Sequence, residues 1–143
     1  MRPVHRPGLR SWGLVPAAAL VLALSGLAAG CSSSKPAYCA DASQLKTSVQ
    51  DLGNVNINIH DLSSVNTAVS KVQADASKFA SDAKSAYPSQ TTALKNSLSS
   101  LQTAVKSAMG QPSVTTVAAV ASSVSQVKTA ASNLQNAVKG ACQ

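Results

Sequence analysis

The stretch DLSSVNTAVSKVQADASKFASDAKSAY, residues 61–87, decides the fold. Leu62, Val65, Val69, Val72, Ala76, Phe79 and Ala83 recur at alternating steps of 3 and 4. That spacing puts every apolar residue on one side of an α-helix. The expectation is a single long helix from Asp61 to Tyr87, with Asp61 as its cap. Lys71, Asp75, Lys78 and Asp82 follow the same rhythm on an adjacent face. Opposite charges three and four apart support a helix by about 0.2–0.5 kcal/mol per pair. The four charges therefore read as a solvated ladder along the helix, not as a site.

Working outward, the same period appears on both sides. Asp41 to Leu52 carries Ala42, Leu45, Val49 and Leu52, a short helix. Asp41 with Gln44 has the form of a capping box, and Gly53-Asn54 is the expected end. Pro88 suits the first turn of another helix, which runs to about Met109 through Leu94, Leu98, Leu101, Val105 and Ala108. Gly110-Gln111-Pro112 is a stop signal, and Ser113 caps the helix after it. Val117, Val120, Val124, Val127, Ala131, Leu134, Val138 and Ala141 form that last stripe, with Gly140 marking its end. Val55 to Ile59 alternates apolar and polar residues, which argues for extended chain. It has no partner strand in the sequence, so it reads as a connector resting its isoleucines on the helices.

The fold class expected is all-α: an up-down-up-down bundle of one short and three long helices. The second and fourth helices have about 26 residues each, or about 40 Å. The first covers only about 18 Å at the same rise. The connector adds about 25 Å as extended chain, which carries it to the far end of the bundle.

The cysteines test this topology. There are three, Cys31, Cys39 and Cys142. In such a bundle the start of the first helix and the end of the fourth share one end. Cys39 and Cys142 hold those positions, so a disulfide between them is expected, against the rival of two buried thiols. It closes a loop of about 100 residues, for which chain-entropy models give up to about 4.7 kcal/mol. A core built of alanine and valine buries less area than one of leucine and phenylalanine, and a covalent clasp suits it.

The first thirty residues have a different character. Arg2, His5, Arg6 and Arg10 make a basic start, and Leu14 to Leu27 is an apolar run. Ala28-Ala29-Gly30 then supplies small residues before Cys31. This is the three-part pattern of a secretory signal. A spanning helix, the rival, needs about 20 apolar residues, more than this interrupted run offers. Leu27-Ala28-Ala29-Gly30-Cys31 resembles the lipobox of bacterial lipoproteins. The resemblance implies a diacylglycerol on the Cys31 thiol and cleavage just before it. Leucine usually stands where Ala28 is, so ordinary cleavage after Gly30 is the competing reading. The expected domains are a signal over 1–30, a lipidated cysteine with a flexible tether over 31–38, and a helical bundle over 39–143.

All three arginines lie in the signal, so the mature segment holds nine lysines against five aspartates and a net charge of +4. Spread lysines without interleaved aromatics are a poor nucleic-acid surface, and none is expected as a partner. So modest a charge reads first as a solvated surface, with weak attraction to anionic lipids or wall polymers as the lesser alternative. Chemistry is scarce. His60 is the sole histidine after the signal, and a metal site needs several converging ligands. Asp41 and Asp61 read as caps, and Asp75 and Asp82 belong to the ladder. Serine nucleophiles lack a base and an oxyanion hole, and the scattered glycines form no phosphate loop. No catalytic residue, metal or cofactor is expected.

The function classes that remain are non-enzymatic. One is an extracytoplasmic, membrane-anchored protein whose bundle meets an envelope protein or a second copy. Another is a module for an apolar ligand or lipid, disfavoured by small residues and a single phenylalanine. A third is a carrier of O-glycans on Ser/Thr, with Ser32 to Ser34 the richest stretch. The mature segment is similar in style to small alanine-rich helical lipoproteins of actinobacteria, and its alanine content points to a high-GC source. That resemblance implies no activity.

Overall fold

The computed structural model describes residues 35–143. Four helices follow in order: α1 Tyr38–Asn54, α2 Leu62–Ala83, α3 Pro88–Gly110 and α4 Val114–Val138. Each packs on its sequence neighbours, α4 closes back on α1, and the diagonal pairs stay apart. This is the expected all-α antiparallel bundle. Residues Ser33–Gln143 form a compact unit, with a hydrophobic core drawn from Ala42 to Val138.

The apolar stripes form that core. Every stripe residue of α2 from Leu62 to Ala83 is buried, with Val65, Val72, Phe79 and Ala83 fully so. Leu94, Leu98, Leu101, Val105 and Ala108 do the same from α3, and Val120 to Val138 from α4. Val117 is half-buried against the cluster, whereas Ala141 lies beyond α4 and is exposed, which corrects its place in the stripe.

The helix ends are local chemistry. Asp61 caps α2 as expected: its Oδ1 accepts from the Ser64 amide at 3.3 Å and the Ser64 hydroxyl at 2.7 Å. Those bonds, the hydroxyl first, hold its carboxyl below the usual range. Pro88 takes the first turn of α3. Ser113 and Thr116 make a reciprocal capping box on α4, and the Thr116 hydroxyl also donates to the Gln111 carbonyl at 2.9 Å.

Three expected boundaries move. α1 starts at Tyr38, not Asp41, because the Cys39 amide already closes on the Pro36 carbonyl at 2.9 Å. Asp41 is therefore no cap; it lies in the first turn, buried. At the other end Gly53 and Asn54 remain helical. α1 is thus about 25 Å long, and the extended segment shrinks to about Val55–Asn58. Val55 and Ile57 pack on the core, but Ile59 is in a turn and exposed. The Asn58 side chain forces that turn, accepting from the His60 amide at 2.8 Å and the Asp61 amide at 3.0 Å. α2 ends at Ala83 instead of Tyr87. A residue before proline avoids the α region, and Tyr87 sits at φ −132°, ψ 57°.

No helix among the described residues is long and apolar enough to cross a membrane.

Candidate functional site

The two ends of the bundle differ. At one, Cys39 is bonded to Cys142, with Cα atoms 5.5 Å apart. The two cysteines therefore meet as the topology required. The aromatic side chains of the described residues gather here too. The Tyr38 ring meets Phe79 edge-on at 6.2 Å and Tyr87 at 5.6 Å. Edge-to-face pairs at such distances contribute about 0.5–1.5 kcal/mol beyond area burial. A hydrogen bond with Tyr87, then burial, raises the Tyr38 phenol above its ordinary value. At the opposite end lie the two loops, and there Ile59, Met109 and Val114 are the exposed large apolar side chains. Cys31, the expected lipid site, falls outside the described residues, as does the signal.

The four seams between neighbouring helices also differ, and the flanks of each apolar stripe explain how. Residues one position before a stripe residue face one neighbour; residues one position after it face the other. On the α1–α2 seam the preceding positions are charged. Asp41 Oδ1 lies 3.5 Å from Lys78 Nζ, and Asp51 Oδ2 lies 2.9 Å from Lys71 Nζ. The lysines of the expected ladder thus reach across to α1 instead of pairing along α2. Asp75 lies between them on the same face and is buried, and its Oδ2 finds no hydrogen-bond partner. Lys71, Lys78 and Asp82 stay exposed, as a solvated ladder requires, but Asp75 is buried and the lysine partners lie across the seam.

On the α3–α4 seam the preceding positions are small or polar: Ala93, Ser97, Gln126, Ala130 and Asn133. Small side chains let helix axes approach, and this pair packs most extensively. The α2–α3 seam takes the following positions, among them Gln73, Ser77, Lys95 and Gln102. The α1–α4 seam does likewise, and here three lysines gather. Lys46 and Lys139 line a groove of about 440 Å³ beside the disulfide. Lys46 and Lys128 line a groove of about 290 Å³ further along. Lys128 Nζ comes within 3.3 Å of where a Cβ on Gly53 would stand. It thus reaches the last turn of α1, where unpaired carbonyls favour a cation.

No family model, curated protein or solved structure matches this chain.

Among the described residues no three His, Cys, Asp or Glu come together as a metal group. His60 is exposed in the turn before α2. Thr91 is buried with its hydroxyl unpartnered. The lysine row of the α1–α4 seam is the feature that reading the charges as evenly spread overlooks. Its signal was present in Leu45-Lys46, Val127-Lys128 and Val138-Lys139, each a lysine directly after a stripe residue; Ala83-Lys84, Leu94-Lys95 and Val105-Lys106 repeat the pattern on the α2–α3 seam.

Proposed function

We propose that the chain is an exported lipoprotein of the bacterial envelope, anchored through Cys31, whose bundle is a non-enzymatic interaction module. The observation that carries this is the cysteine pairing. Cys39 and Cys142 are bonded to each other, so of three cysteines only Cys31 is left for lipid, immediately after the signal-like segment. A disulfide also suits an oxidising, extracytoplasmic compartment. The chain enters the bundle at its clasped end, so the anchor holds that end near the membrane. The loop end faces outward, with Ile59, Met109 and Val114 as its apolar contacts for an envelope protein or a second copy. Cys31→Ala tests the reading in cells grown with labelled palmitate. The native chain takes the label and fractionates with membranes; the variant loses both. A native chain that stays unlabelled overturns it.

A further inference from the structure

We propose that the α1–α4 seam is a binding groove for a linear polyanion, a polymer carrying a phosphate diester or a carboxylate on each repeat. Lys46, Lys128 and Lys139 line two stretches that share Lys46 and Gln135, and no Asp or Glu lines either stretch. None of the three lysines has an ion-pair partner among the described residues. The carboxylates of α1 are turned to the opposite seam, where Asp41 and Asp51 meet lysines of α2. The one helix thus separates charge, with anions towards α2 and a cation towards α4.

Size and shape select the ligand. Lys128 on α4 and Lys139, the residue that caps it, are about three turns apart, about 17 Å along the axis, and Lys46 enters between them from α1. A small anion meets one or two of these charges, whereas a chain lying along the seam meets all three. Ammonium groups act as point charges and suit phosphate or carboxylate alike. Gln50, Ser132 and Gln135 add hydroxyl and amide donors to the lining. Neither stretch contains an aromatic ring, so bases have nothing to stack on. Recognition is of backbone charge. The seam binds whether or not Cys31 carries lipid, so the inference stands apart from the anchor.

The test uses residues 33–143, the compact unit with its own core, checked for helicity by circular dichroism. The probes are a glycerol-phosphate oligomer, an oligogalacturonate and phosphatidylglycerol vesicles. At low salt at least one oligomer binds, and the amide shifts it causes map to Ser43, Lys46, Gln50, Lys128, Ser132 and Gln135. Which oligomer binds identifies the anionic group. Lys46→Gln with Lys128→Gln weakens binding about tenfold and flattens its salt slope by about two charges. The control, Lys95→Gln with Lys106→Gln on the opposite α2–α3 seam, removes the same charge and, compared at about 0.15 M salt where the screening length is about 8 Å, changes affinity less than about twofold. Equal losses in both pairs, shifts elsewhere, capture by vesicles but not oligomers, or no binding at all each overturn the proposal.

Discussion

The α3–α4 and α1–α4 seams share a helix and a common core, yet they are held differently. On the first, Ala93, Ser97 and Ala130 stand beside the stripes, and the helices pack most extensively of any pair. On the second, Lys46, Gln50, Lys128 and Gln135 occupy the flanks, and the helices pack least. The disulfide sits on the second. A covalent link therefore stands where the helix backbones run together least and joins the two ends of the domain. Grooves run along both seams, about 470 Å³ on the first and about 440 and 290 Å³ on the second; what distinguishes the second is its lysine lining and the clasp at its end. The α1–α2 seam lies between these cases, with its polar flanks joined by ion pairs.

Removing the clasp is the strongest way to break the contrast. Cys39→Ser with Cys142→Ser frees a loop spanning a separation of 103 residues, and the expected loss is up to about 4.7 kcal/mol in denaturant titration. A loss below about 1 kcal/mol would mean that packing alone holds α1 to α4. Next comes added bulk at two adjoining positions of α4. Ala131→Leu, at a fully buried stripe position, overpacks the core and destabilises by about 1–3 kcal/mol. Ser132→Leu, one residue on but lining the open groove, changes stability by less than about 0.5 kcal/mol. Equal effects on thermal unfolding would erase the difference between core and groove. The smallest expected effect is on the α1–α2 seam. A double-mutant cycle on Asp51 and Lys71, both about half exposed, gives a coupling of about 0.2–1 kcal/mol that fades in 1 M salt.

The four stripes were legible because a period of 3.6 residues leaves a direct trace, and the buried residues of α2, α3 and α4 follow it closely. The Cys39–Cys142 bond was legible because helix lengths and short loops bring both ends together. Three features were hidden by tertiary effects. Asp41 resembled a cap, but the disulfide and the Tyr38 ring draw Tyr38 and Cys39 into the helix ahead of it. Lys71 and Lys78 had carboxylates within reach on their own helix, and the neighbouring helix offered others. Gly53 looked like a helix stop, yet it continues the helix and makes room for Lys128. The lysine groove was written in the order of residues, but only the handedness of the bundle shows that positions after a stripe residue on α1 and α4 face each other. Among the described residues His60 joins no group of metal-ligating side chains, and periodicity could say nothing about it.

The division of labour among the three cysteines is the claim on which the whole account rests, and the intact mass of the protein extracted from membranes tests it in one measurement. The expected mass is that of a chain that begins at Cys31, carries a lipid modification, and gains two hydrogens and no more on reduction. A chain without lipid, lipid on Cys39 or Cys142, or a mass unchanged by reduction would contradict it.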